Sequence, residues 1–307
     1  LQESLRLFNR FGMKCWLSSL AGGLIAMILL LIPHLFIGAM IKANWATTKE
    51  VFKHWATSLT VLPFDQLIQP LSLFNKGGAL LIGYTLLAGG LTFLVGTFYL
   101  AGLTATARDA VVNKHVMVSR FFSEGLRKTF PLFGLLICHI FMTGIFFTIV
   151  GAFVFLTGRG MGVLITVGVI GGLLYLLLLI IKTYSLIILF SEDIGVIRSL
   201  SYSFKSLFRL FIPTLTTYLI TLFTTILGMV VIGALILFPW FILQFFKDGT
   251  VALIVGVILG GVASILLASL PIILALIVLF DRYIKMIQPD LFPEDSLQAT
   301  LLRPTSF

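Results

Sequence analysis

Six apolar stretches, at about 15–41, 77–105, 131–157, 163–190, 213–245 and 251–280, dominate the chain. A helix crosses the hydrocarbon of a bilayer, about 30 Å thick, in roughly 20 residues, and each stretch reaches that length. A typical soluble domain carries about 25% charged residues. This 307-residue chain has 11%, against 59% hydrophobic residues. So few charges cannot cover a water-facing surface, and the mean hydropathy of +1.12 agrees. The expected fold class is an all-α integral membrane protein with six transmembrane helices. Residues 1–307 form one polytopic membrane domain, with a tail over 281–307. Soluble enzyme folds are excluded.

The connections between the stretches alternate in charge. Fourteen basic residues fall before span one, between spans two and three, between spans four and five, and in the tail. Six fall on the other side, and Lys182 lies inside span four. The positive-inside rule then predicts that both termini are cytoplasmic. The net charge of +9 sits beside apolar spans, so anionic lipid headgroups are the expected partner rather than nucleic acid. The first apolar run, Trp16 to Ile41, is far longer than the core of a signal peptide. Two cysteines, Cys15 and Cys138, predict neither a disulfide framework nor a metal knuckle.

Short outer connections at 158–162 and 247–250 predict antiparallel hairpins of spans three and four and of spans five and six. The longer loop 42–76 contains Thr47-Thr48-Lys49-Glu50, a capping box, ahead of Val51, Trp55 and Leu59. A short interfacial helix is expected there, with Trp45 and Trp55 at headgroup level and a turn at Pro63.

Each pair of spans follows a basic amphipathic segment. Leu1, Leu5, Phe8 and Phe11 share one helical face while Arg6, Arg10 and Lys14 share another. Val118, Phe122 and Leu126 oppose Arg120, Arg127 and Lys128. Ile197, Leu200, Phe204, Leu207 and Phe211 oppose Arg198, Lys205 and Arg209. Pro131 and Pro213 stand where spans three and five begin, a position that suits proline. The pattern predicts three units, each an in-plane helix plus a transmembrane hairpin. The alternative is that any basic helix ahead of a span carries such a stripe. The nine basic residues are the candidate headgroup contacts.

Small residues predict close helix packing: Gly168 and Gly172 in span four, and Gly256, Gly260 and Ser264, followed by Ala268, in span six. The span-six stripe also suits homo-oligomerisation. Pro33 and Pro271 are expected to kink spans one and six.

Residues 191–211 read Ser191-Glu192-Asp193-Ile194-Gly195, then Ser199, Ser203 and Lys205. This string resembles the YciC-like family of bacterial inner-membrane proteins. It is also similar to the membrane domain attached to some glycerophosphodiester phosphodiesterases, although no phosphodiesterase domain is present. The order of spans, the long first outer loop and the basic helix before span five are similar too. The resemblance implies a polytopic helical protein of the bacterial inner membrane and brings no reaction or ligand. The residues have a physical account of their own. Ser191 is an expected N-cap, Glu192 and Asp193 suit the start of a helix, and Gly195 allows the chain to turn.

All twelve acidic residues lie outside the spans or at their ends, so no buried carboxylate is expected for proton or sodium coupling. His34, His139 and Lys182 are the ionisable residues within apolar segments. Lys182 and His139 lie at similar depth on facing helices, with Tyr184 and Cys138 near the same level. Lys182, His139 and Tyr184 are therefore the candidate intramembrane polar site. The alternative is that Lys182 reaches the headgroups along its own stem. No nucleophile elbow, zinc-protease motif, phosphate loop or paired-cysteine motif is present, so no catalysis, metal or cofactor is expected. The residues predict a non-catalytic membrane protein that binds anionic lipid, or a membrane partner protein, through basic helices. The alternative is a transporter or channel subunit for a lipid or amphipathic solute.

Overall fold

The computed structural model describes residues 1–43, 77–157, 160–243, 267 and 269–293. Among them are eight helices and no strand. They are α1 (Gln2–Ala43), α2 (Gly77–Val112), α3 (Val118–Thr157), α4 (Met161–Ser191), α5 (Val196–Arg209), α6 (Phe211–Leu243), α7 (Ser269–Met286) and α8 (Gln288–Leu291). Five are long and apolar enough to cross a membrane, over Gln2–Leu35, Leu86–Val112, Val118–Thr157, Met161–Ser191 and Phe211–Ala234. These match the first five expected spans. Most of span six, with Gly256, Gly260 and Ser264, lies outside the described residues, as does the expected interfacial helix of loop 42–76.

The chain divides into two compact units, Leu1–Ala21 with Leu100–Phe307, and Gly22–Tyr99. The smaller holds an apolar groove lined by Gly23, Ala26, Leu30, Val95 and Tyr99. There His34 Nδ1 meets the carbonyl of Leu30 at 2.7 Å.

In the larger unit α3 and α4 form the expected antiparallel hairpin. Along α3 the bonded residue rises from Lys128 through His139 to Thr143, while its partner along α4 falls from Leu189 through Ser185 to Lys182. Helix α5 packs on α3, α4 and α6, and α7 packs on α6 and α4. Burial is concentrated at one end. The buried residues of α3 all lie between Phe121 and His139, and those of α4 between Ile180 and Phe190. Charged residues gather at this same end. Toward the other end Phe153, Phe155, Ile165 and Val169 are exposed. Exposed apolar surface on this scale is rare on soluble monomers and ordinary against lipid.

Two of the three expected in-plane helices are not separate elements. The basic segments 1–14 and 118–130 run unbroken into α1 and α3. Pro131 lies inside α3 rather than at its start. Proline removes one backbone hydrogen bond, and an apolar environment gives the freed backbone no better alternative than helix. At 40 residues α3 is about 60 Å long, roughly twice a hydrocarbon core. Only the third basic segment is an independent helix, α5.

Hydroxyls inside the apolar helices bond the backbone four residues back. Thr104, Thr106, Thr129 and Thr221 each donate to such a carbonyl, at 2.6–2.9 Å. This satisfies the side chain without a neighbour.

The expected glycine contacts are moved. Nothing lies within 4 Å of a Cβ built on Gly168 or Gly172, so neither packs against another helix among the described residues. The tight glycine is Gly102 on α2. A Cβ there would stand 2.6 Å from the ring of Phe121, which is fully buried. At Gly228 on α6 a Cβ would stand 3.0 Å from Pro271 of α7. Overpacking of this kind costs about 1–3 kcal/mol. Gly102→Ala is expected to lower stability by that amount in thermal unfolding of the detergent-purified protein. Adding Phe121→Leu should recover part of the loss, because the clash is with the ring alone.

Candidate functional site

The turn from α4 into α5 organises the charged end. Ser191 is the last residue of α4 rather than the N-cap of α5, which is Gly195. Gly195 has an extended backbone, φ −69 and ψ 162. The left-handed residue is Asp193, with φ 51. Aspartate tolerates that region better than most residues, and here its side chain is held from outside the turn. Arg127 Nη1 donates to Asp193 Oδ2 at 3.1 Å, and Lys128 Nζ donates to Asp193 Oδ1. Lys128 also donates to the carbonyl of Leu189 at 3.2 Å. The bond from Lys128 holds the Asp193 carboxyl below its ordinary pKa, and the nearby Arg127 charge acts the same way.

Lys128 is therefore a clamp rather than a headgroup contact. It is 5% exposed, and its ammonium lies 5.8 Å from the Phe190 ring centroid. Arg127 is shared between Asp193 and Glu124, and Arg120 bonds Asp109 at 3.1 Å. The whole second basic set is thus paired with acids. Arg6, Arg10, Lys14, Arg198, Lys205 and Arg209 are exposed and form no ion pair among the described residues.

Helix α5 has three faces, not two. Ser199, Ser203, Ser206 and Leu207 are buried against the bundle. Ser199 and Ser203 donate to carbonyls three residues back, and Ser206 Oγ lies 3.0 Å from Thr214 Oγ1. Ile197 and Phe208, 82% and 77% exposed, form an outward apolar stripe with Phe204. Arg198, Lys205 and Arg209 lie beside this stripe rather than opposite it. At 100° per residue Lys205 and Arg198 fall about 80–100° from Ile197. The start of α5 meets α3, with Val196 Cγ2 3.6 Å from the Cβ position of Gly134, and its end bonds α6 through Ser206. The helix thus runs from one long helix to the other, across the charged end.

Deeper in the hairpin, Lys182 Nζ donates to Thr143 Oγ1, and His139 Nε2 lies 2.8 Å from Ser185 Oγ. Thr143 in turn donates to the carbonyl of His139, and Ser185 to that of Lys182. Lys182 and His139 thus belong to one polar cluster. Tyr184 does not join it. Its hydroxyl donates to the carbonyl of Thr214 at 3.1 Å, and its ring lies 6.4 Å from that of Tyr283. One residue is about 100° of helix, which turns Tyr184 away from α3.

Three acids at span ends prove structural. Asp109 is buried, and accepts from Asn113 and Arg120. Asp281, 4% exposed, accepts from Ser4 at 2.6 Å and pairs with Lys285, which also binds Glu3. Glu192 accepts from Tyr283 at 2.9 Å. The Asp281–Lys285 spacing of four is readable from sequence. The pairing of Asp281 with Ser4 joins opposite ends of the chain and leaves no local signal.

Removing the Asp193 charge leaves Lys128 buried without a counter-ion. Breaking a buried pair costs about 3–5 kcal/mol, and the half-exposed carboxylate reduces that to about 1–2. Asp193→Asn is expected to destabilise the protein by this amount at pH 7, and Lys128→Met added to it should restore stability. A carboxyl with a lowered folded-state pKa stabilises above its ordinary value, 3.8, and loses that contribution as pH falls through the folded value. The gap between wild type and Asp193→Asn should thus hold from pH 7 to about pH 5 and close below about pH 3.8. Unfolding midpoints measured across that range check it.

No family model, curated protein or solved structure matches this chain.

Proposed function

We propose that this is a non-catalytic multi-pass protein of the bacterial inner membrane, with both termini cytoplasmic, which binds anionic lipid through α5 and the start of α1. The observation that carries the reading is the three-faced α5. An apolar stripe of Ile197, Phe204 and Phe208 faces outward, with three cations beside it that form no ion pair among the described residues. That is the arrangement of a helix lying at a membrane interface, with its stripe among the acyl chains and its charges among phosphates. Arg6, Arg10 and Lys14 add a second unpaired set on α1. The excess of basic residues at this end supports its cytoplasmic placement. The resemblance of residues 191–211 to YciC-like proteins supports the inner membrane.

Each cation near an anionic leaflet contributes about 1 kcal/mol. Replacing Arg198, Lys205 and Arg209 together by Gln is therefore expected to weaken retention of phosphatidylglycerol by about two orders of magnitude. Phosphatidylcholine retention should change little. Native mass spectrometry of the protein with each lipid reads the difference. Equal retention of both lipids by the wild type would overturn the reading.

The Lys182–Thr143 and His139–Ser185 contacts favour a second reading, movement of a lipid or amphipathic solute along the α3–α4 hairpin. Lys182→Met should then abolish flux in proteoliposomes loaded with a fluorescent lipid. Unchanged flux would remove these residues from any transport path.

A further inference from the structure

The charged end contains a cavity of about 450 Å³ among the amino-terminal turn of α1, the end of α2, the end of α4 and α7. Three cations and two acids border it: Arg108, Lys114 and Lys285 against Glu3 and Asp281. Lys285 is neutralised by both acids. Arg108 is not matched in this way. Its side chain is 27% exposed, so most of it is out of water. Its nearest carboxylate oxygen is Asp109 Oδ1 at 3.9 Å, and that oxygen already accepts from Asn113 at 2.7 Å. The other Asp109 oxygen accepts from Arg120. Arg108 Nη2 reaches the carbonyl of Ser191 only at 3.5 Å, and Arg108 Nε is buried without a partner among the described residues. Ser191 Oγ, on the same cavity wall, is also buried without a partner.

Water in the cavity would satisfy the hydroxyl. It would leave a largely buried guanidinium whose nearest carboxylate, Asp109 at 3.9 Å, is already engaged by Asn113 and Arg120, which is the costly part. A guanidinium with free donors, a free hydroxyl and a nearby ammonium on Lys114 are complementary to a tetrahedral oxyanion. At about 30 Å³ per water, the cavity has room for a phosphoryl group with several waters.

We propose that this cavity binds one phosphoryl group, held by Arg108 and Ser191 with Lys114 as the second charge. The group comes from a phospholipid headgroup or from free phosphate. The site is separate from the lipid-binding surface proposed above, since none of the six unpaired cations of α1 and α5 borders it. Lys114 has φ 49 and occupies the turn after α2, so its ammonium is carried on a defined backbone rather than on a helix face.

The test uses the full chain in uncharged detergent. Thermal midpoints are measured with inorganic phosphate against chloride at constant ionic strength. Binding of phosphatidic acid is compared with that of diacylglycerol, which has the same chains and no phosphate. Wild type should be stabilised by the phosphorylated member of at least one pair and by neither control. Stabilisation by inorganic phosphate identifies a site open to the soluble anion; stabilisation by phosphatidic acid alone identifies a headgroup site. Arg108→Gln should weaken the effective ligand about tenfold or more, the loss of a charged hydrogen-bond donor set. Ser191→Ala removes only a hydroxyl without a partner, so it should fold normally and weaken binding several-fold. It keeps the test valid should Arg108→Gln not fold. The Arg198, Lys205 and Arg209 to Gln triple variant should bind as wild type does here. No response to either phosphorylated ligand, or binding by Ser191→Ala and Arg108→Gln as tight as that of wild type, would overturn the proposal.

Discussion

Lipid tails are as apolar as leucine, so two apolar helices gain little by leaving lipid for each other. Helix position must then be set by close approach and by polar contacts. Both are concentrated at one end of the larger unit. Lys128 ties α3 to the carbonyl of Leu189 and to Asp193. Ser4 ties the first turn of α1 to Asp281, and Glu3 ties it to Lys285. Tyr283 ties α7 to Glu192 beyond the end of α4. Phe121 fills the space that Gly102 leaves open. At the other end of α3 and α4, Gly144, Gly151 and Gly168 have nothing within 4 Å of a Cβ position. Contacts that fix geometry are thus separated from surface that simply dissolves in lipid.

What was readable in the sequence follows from the same separation. Whether a stretch is long and apolar enough to cross a bilayer is a property of that stretch alone, so five expected spans are found as long helices. The α3–α4 hairpin was readable because its connection is short. Partner choice is not local. Lys128 has the composition and spacing of a headgroup contact, and only the fold shows Asp193 and Leu189 beside it. Arg127 and Arg120 are exposed, and likewise only the fold shows the acids beside them. Gly195 was expected to supply the turn because glycine most easily adopts a left-handed backbone, yet Asp193 takes that conformation with two cations holding its carboxylate. The breaks expected between the basic segments and spans one and three rested on amphipathicity. Amphipathicity describes a face and not an end, so α1 and α3 run through. Most of span six and nearly all of loop 42–76 lie outside what the structure describes.

Helix α5 carries the expected amphipathic period, but with a third face that a division into apolar and basic sides did not separate. In a water-soluble protein the apolar stripe of a surface helix points at the core. At a membrane interface the stripe points at lipid, and small residues face the protein because they let backbones approach. Ser199, Ser203 and Ser206 do this, and two of them satisfy their hydroxyls on α5 itself. Leu207, placed on the apolar stripe by sequence, is buried with the serines. The membrane-plane expectation named an apolar and a basic side; the face of small residues that meets the bundle was the part it did not contain.

The charge available to a lipid surface is what pairing leaves over. An ion pair at about 3 Å is much shorter than the Debye length of about 8 Å at physiological ionic strength, so its field largely cancels before it reaches a headgroup. Arg120, Arg127 and Lys128 have their charge matched in this way, the first two at the surface and Lys128 in the interior. The cations of α1 and α5 do not. The net charge of +9 is therefore distributed unevenly in effect: the α3 set fixes the α4–α5 turn, and the turn in turn sets the orientation of the unpaired cations on α5. If α5 binds lipid as proposed, loss of the Lys128 clamp would act on that binding through the orientation of α5, without removing any of its three cations.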